Sequence, residues 1–167
     1  MVLSIIICTY NREYFLKLCL DSVLEQTKNY SEKDIEIIII DNNSKDGTKK
    51  LINNYTSTTP INYYLEENQG LSYARNAGIN IANGNYIAFV DDDATINKNW
   101  LHSLLVGIKT IKADGFGGPI YPRFEIECPS WIDKRYFFRK FKNTDGYLNS
   151  LVARGGFSGG NMCIHKS

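Results

Sequence analysis

The sequence predicts an α/β fold with a mostly parallel sheet flanked by helices, and three observations carry that expectation. Four strand-length apolar runs alternate with four helix-period segments inside about 110 residues. One of the runs, Ile35 to Ile40, is apolar on both faces, as suits a parallel strand covered by helices on each side. The intervening segments have the length and period of helical crossovers, which makes the units βαβ and right-handed.

Val2 to Cys8 (VLSIIIC) is the first strand, rich in β-branched residues. After Thr-Tyr-Asn-Arg, the apolar residues Phe15, Leu16, Cys19, Leu20, Val23 and Leu24 recur at helical spacing. Ile35 to Ile40 is the second strand, closed by the turn and cap chemistry of Asp41-Asn42-Asn43-Ser44, and a short helix is expected from about Lys45 to Asn54. Ile61 to Leu65 is the third strand. Leu71, Ala74, Gly78 and Ile81 mark a helix that stops near Asn83-Gly84, and Tyr86 to Val90 is the fourth strand. Beyond Asp91-Asp92-Asp93, Trp100, Leu101, Leu104, Leu105, Ile108 and Ile111 share one helix face. From Gly115 the period is lost, and the tail reads as loops and short strands.

Composition narrows the function. Nineteen basic against 18 acidic residues leave a net charge of +1, which gives no basis for a nucleic-acid partner held by bulk charge. The longest aliphatic stretches fall far short of the ~20 residues that span a bilayer. No secretory leader precedes the first strand, so the expected location is cytoplasmic, where Cys8, Cys19, Cys128 and Cys163 stay reduced. Neither GxxxxGK[ST] nor GxGxxG occurs, which removes the phosphate-binding residues of P-loop kinases and dinucleotide dehydrogenases. His102 and His165 lack partners at metal spacing and read as structural or surface residues.

In open α/β sheets ligands bind beyond the carboxyl ends of the strands. Here all four strands end in polar residues: Thr9-Tyr10-Asn11-Arg12, Asp41 to Ser44, Glu67-Asn68-Gln69-Gly70, and Asp91-Asp92-Asp93. Three consecutive carboxylates repel one another by ~1 kcal/mol per pair at 4 Å in water and by several times more near protein. A divalent cation with hard oxygen ligands, Mn2+ or Mg2+, would cancel that cost. An acidic turn in which Asp93 or Asn97 caps the next helix explains the same residues without a ligand, and Asp41 alone also suits a cap.

Taken together, SIIICTYNRE, IIIIDNNSKDGT, NQGLSYARNAGI and GNYIAFVDDDA resemble, in order and spacing, the nucleotide-sugar-binding half of family 2 glycosyltransferases. The likeness covers residues 3 to 106 closely, and GGPIYP and GFSGGNMCIHK resemble later acceptor-side segments. It implies the Rossmann-like GT-A fold in a single domain over 1–167, with 1–114 binding the donor and 115–167 opening the acceptor side. It also implies that Thr9, Tyr10 and Asn11 meet the nucleotide base and that Asp41 hydrogen-bonds base or ribose. Arg75 would stand near base and diphosphate, and Asn68 and Gly70 would form the approach loop. Asp91-Asp92-Asp93 matches the DxD-type motif, with Asp93 as the metal ligand, Asp91 and Asp92 at the ribose or a metal-bound water, and Asp91 counted with Asp93 in the metal set.

The activity so implied is transfer of a sugar from a nucleotide diphosphate donor, by expectation a UDP-sugar, to a hydroxyl of a glycan or lipid-linked acceptor, with inversion. The family's catalytic base, an Asp beyond the GGNM segment, has no counterpart before Ser167. Asp133 and Asp145 do not occupy its place, so the catalytic residue stays unassigned and the chain is expected to be an N-terminal portion. Such a portion would expose apolar surface and a sheet edge, an expectation of self-association. The basic and aromatic stretch from Asp133 to Lys142 suits either a peripheral contact with the inner membrane face or a solvated cover of the sheet edge. A nucleotide-sugar-binding module without catalysis is the alternative function. A nucleotidyltransferase fits less well, because CTYNRE lacks the Gly-rich phosphate loop of that class.

Overall fold

The computed structural model describes residues 1–57, 60–111, 113–133 and 159–166. Leu3–Thr9 (β1), Ile35–Asp41 (β2), Ile61–Leu65 (β3) and Tyr86–Asp91 (β4) alternate with helices Glu13–Thr27 (α1), Thr48–Thr56 (α2), Leu71–Ile81 (α3) and Trp100–Ile111 (α4). Gly115–Gly117 (β5) and Asn161–His165 (β6) complete a sheet of order β3-β2-β1-β4-β6-β5 among the described residues. Pairings within β3-β2-β1-β4 are parallel, and β6 runs antiparallel to both β4 and β5. The mixed, mostly parallel α/β sheet expected from the sequence is therefore present.

Two apolar clusters explain why the central strands carry aliphatic residues at consecutive positions. Ile5, Ile7, Ile37, Ile39 and Val90 meet Leu16, Leu20 and Val23 of α1, Ile52 of α2 and Leu101 and Ile108 of α4 on one face. Ile6, Ile38, Ile40, Ile87 and Phe89 meet Ala74 of α3 and the adjoining Ala82 on the other. Each fully buried aliphatic side chain contributes about 1.5–3 kcal/mol, so covering both faces makes β1 and β2 the anchor of the fold.

The chain moves outward from β1 to β2 and β3, then returns across the sheet through α3 to place β4 on the other side of β1. That reversal parts the loops leaving β1 and β4 and opens a crevice at their carboxyl ends.

Two local expectations shift. Helix α2 starts at Thr48 rather than near Lys45. Residues 42–47 stay in a loop because Asn11 Oδ1 accepts the Lys45 N–H at 2.7 Å, while the Asp46 carboxylate accepts the N–H groups of Glu13 and Thr48. Leu71, expected on the packed face of α3, is 53% exposed at the rim of the crevice. Cys8, Cys19, Cys128 and Cys163 are free thiols. Of the Asp133 to Lys142 stretch, all but Asp133 lies outside the described residues, as does Asp145.

Candidate functional site

The crevice between β1 and β4 is a cavity of about 650 Å³. Cys8, Thr9 and Tyr10 line it from the end of β1, Asp91, Asp92 and Asp93 from the end of β4, and Gln69 and Gly70 from the turn into α3. Burial pushes the Cys8 thiol up to about 12, so this cysteine is a neutral part of the wall and not a nucleophile at ordinary pH.

Asn42 holds this end of the sheet together. Its side-chain amide donates to the carbonyls of Glu66 (3.1 Å) and Asn68 (2.6 Å), and its Oδ1 accepts the Gly70 N–H at 2.7 Å. The loop it captures ends at Gly70 with φ +139° and ψ 136°, a conformation accessible only to glycine without strain. Asp41 is buried; one carboxylate oxygen accepts the Ser44 N–H at 2.9 Å and the other the Tyr63 hydroxyl at 3.1 Å. Asn11, in the left-handed region at φ +52°, donates its N–H to Ser44 Oγ at 3.0 Å.

The three aspartates differ in their partners. Arg12 places one guanidinium nitrogen 3.4 Å from Asp92 Oδ1 and hydrogen-bonds Asp93 with the same nitrogen. Asp91 lies 3.5 Å from Arg75, whose guanidinium also donates to the Gly159 carbonyl at 3.1 Å and stands over the Phe89 ring. The Gly159-Gly160 turn packs against this pair so closely that a Cβ on Gly160 would collide with the Asp91 carboxylate. Despite the two arginines, desolvation raises Asp91 above the ordinary carboxylate range, with Asp93 adding to the rise. Burial likewise raises Asp92, and both neighbouring aspartates add to it. The Thr9 hydroxyl opposes the Asp92 shift but makes no well-formed hydrogen bond, leaving a buried, unpartnered polar atom in the wall. Negative charge at the end of β4 is thus only partly compensated by the protein itself.

Asp93 is not the cap of α4. Asn97 and Gln26 fill that role: Asn97 Oδ1 accepts the Asn99 N–H, and Gln26 Oε1 accepts the Leu101 N–H. Asp91 and Asp93 instead border a second cavity of about 1280 Å³, which continues past Trp100, Phe116, Tyr121 and Phe124. Asn161 shapes it by accepting the Trp100 indole N–H at 2.9 Å and donating to the Pro119 carbonyl at 3.3 Å. Among the described residues no three Asp, Glu, His or Cys side chains converge on one point. The pair common to both cavities can therefore offer a cation one or two hard carboxylate oxygens, the donor set that Mg2+ or Mn2+ takes when phosphate oxygens and water complete its shell.

Of the residues singled out in the sequence, Thr9, Tyr10, Gly70, Asp91, Asp92 and Asp93 line the first cavity, whereas Asn11, Asp41, Asn68 and Arg75 do not. Those four act through hydrogen bonds or ion pairs on residues and loops around it. Sequence reasoning passed over Arg12 and Asn42. The only signal was a cation and an amide inside polar strand ends, and what they touch lies 24 to 81 positions away.

The family model described as "Glycosyl transferase family 2" matches residues 4–167. Glycosyltransferase GlyA of Streptococcus pneumoniae is 36% identical over 126 residues, covering 75% of this chain and 18% of that protein. A GalNAc(5)-diNAcBac-PP-undecaprenol beta-1,3-glucosyltransferase of Campylobacter jejuni is 35% identical over 106 residues, covering 62% of this chain and 33% of its own. The crystal structure of S. aureus TarS 1-349 in complex with UDP superposes with a TM-score of 0.63 at 27% identity, over 69% of this chain and 34% of that one. The chain thus spans about a third or less of the length of these relatives.

Proposed function

Since the chain belongs to glycosyl transferase family 2, we propose that it takes part in sugar transfer from a nucleoside diphosphate sugar, a UDP-sugar first, to the hydroxyl of a glycan or lipid-linked acceptor. The observation that carries this reading is the convergence of the polar strand ends on one cavity, with incompletely compensated aspartates where it meets a second cavity. Asp93 and Asp91 would hold Mn2+ or Mg2+. Bound there, the cation would neutralise the nucleoside diphosphate leaving group. Tyr10 offers a ring to the base at the mouth of the cavity, and Asp92 and Thr9 offer polar atoms to the ribose. Asp41, Asn11 and Asn68 set the loops that frame base and ribose, and Arg75 holds Asp91 beside the diphosphate.

Residues 1–114 make up the donor side in this reading. The wider cavity beyond Asp93, with β6 and the Gly159-Gly160 turn, belongs to the acceptor side that 115–167 opens. Inversion requires a base at the acceptor hydroxyl, a role for which we assign no residue. Among the described residues no helix is long and apolar enough to cross a membrane.

Calorimetric titration with a panel of nucleoside diphosphates tests the proposal. UDP is expected to bind in Mn2+ or Mg2+ and to lose affinity in EDTA. Equal affinity in both media removes the cation from the site, and no binding by any diphosphate overturns the reading. Hydrolysis of a UDP-sugar needs donor and cation but no acceptor, so diphosphate binding with neither hydrolysis nor transfer would reduce the chain to a donor-binding role.

A further inference from the structure

Arg12 touches the residues assigned to the cation, and the geometry points to a role for it that depends on the reading above. We infer that Arg12 is an internal competitor of the divalent cation: it partly compensates Asp92 and Asp93 when no cation is bound, and must release Asp93 before a cation can bind.

Two observations and one chemical argument support this. One guanidinium nitrogen serves both Asp92 and Asp93, although Arg12 leaves β1 and the aspartates leave β4. The arginine side chain is half-exposed, at 48%, and lines the same cavity as the aspartates, so it can leave Asp93 without unpacking the core. A guanidinium and a divalent cation cannot both occupy the coordinating oxygens of one carboxylate at full strength, because each needs the same lone pairs and the two repel.

The chemistry of a nucleoside diphosphate resolves the competition. Its oxygens supply ligands to the cation and also a new anionic partner for the displaced guanidinium, which sits in the wall of the same cavity. Cation and nucleotide therefore help each other to bind, and linkage makes that help reciprocal. Arg12 acts through Asp93 and is a positioning residue, not a catalytic one.

Free Mn2+ is counted by electron paramagnetic resonance during titration of the wild-type chain, Arg12→Gln and Arg12→Lys, each with and without saturating UDP, after circular dichroism has established folding. Without UDP, Arg12→Gln is expected to bind Mn2+ more tightly by about five-fold or more, the lower end of ordinary coupling strengths. The gain in Mn2+ affinity that UDP produces should shrink by a similar factor, and Arg12→Lys should retain most of the wild-type coupling. Unchanged or weaker Mn2+ binding by folded Arg12→Gln, or an undiminished UDP effect, overturns the inference while leaving the proposed function intact. Failure of every variant to bind Mn2+ even with UDP overturns both.

Discussion

The two ends of the parallel sheet use carboxylates in opposite ways. At the amino end, Glu36 of β2 is buried and accepts four hydrogen bonds: from Ser4 Oγ and the Asn83 N–H, both at 2.6 Å, and from the amides of Asn62 and Asn83, both at 3.2 Å. Burial pushes this group up, but the donors outweigh it and hold Glu36 below the ordinary carboxylate range. At the carboxyl end, Asp91 and Asp92 are held above that range. Fold-building carboxylates are saturated with donors, whereas those at the cavity retain a deficit that a ligand can fill. The difference separates architecture from site more clearly than burial does, because Glu36 and Asp92 are equally buried, each 7% exposed.

The largest expected effect falls at the saturated end. Glu36→Ala strands the Ser4, Asn62 and Asn83 donors and should cost roughly 3 kcal/mol or more, lowering Tm by about 6–12 °C at ~2–4 °C per kcal/mol. Thermal denaturation checks this, and a shift of under ~2 °C would erase the contrast between the two ends.

Asp93→Ala comes next and should do the reverse, leaving Tm near the wild-type value while weakening UDP binding in Mn2+ by about a hundredfold, ~2.7 kcal/mol. Calorimetry at matched ionic strength measures it.

Asp41→Ala should behave as an intermediate case. Both oxygens are engaged by Ser44 and Tyr63, so the loss reaches the nucleotide through a displaced loop. About a tenfold weaker dissociation constant for UDP is expected, together with a stability loss of ~1–3 kcal/mol. Full stability with a large loss of affinity would instead make Asp41 a direct nucleotide contact.

The smallest effect is a matter of pH. Because the folded value of Glu36 lies below its unfolded one, the unfolded chain takes up its proton first on acidification. Its stabilisation is present above the ordinary value near 4.5 and is lost as pH falls through the folded value. Asp92 has the opposite sign: the unfolded chain releases its proton first, so stability declines as pH rises from the ordinary value of 3.8 toward the raised one. Asp92→Asn should therefore raise Tm at pH 7 while leaving the acid limb carried by Glu36 in place. Urea titrations from pH 3 to about pH 7 would show the two slopes separately, and a destabilised Asp92→Asn protein would mean that the Arg12 contact outweighs desolvation.

Much of this was legible before any coordinates. Leu16, Cys19, Leu20, Val23 and Leu24 of α1 fall on its packed side, as their spacing predicts, whereas Phe15 of the same pattern lines the wider cavity, and IEIIII is covered on both faces. The Asp91 to Asp93 turn could be picked out because repulsion among adjacent charges depends on chain proximity alone. The start of α2 could not: Lys45 and Asp46 are drawn into bonds with Asn11 of another loop and Glu13 at the start of α1, and that competition is invisible within the segment itself.

What the sequence by itself determined was the set of elements, the two-sided burial of β1 and β2 and the gathering of polar residues at strand ends, all properties of local period and polarity. Tertiary structure alone decided which of those ends meet. Sheet order sets β4 beside β1, bringing Arg12 to aspartates 80 and 81 positions away, and sets β3 beside β2, putting Asn42 within reach of the loop at Glu66 to Gly70. Pairing across a crevice depends on where the chain reverses direction, and no local pattern encodes that.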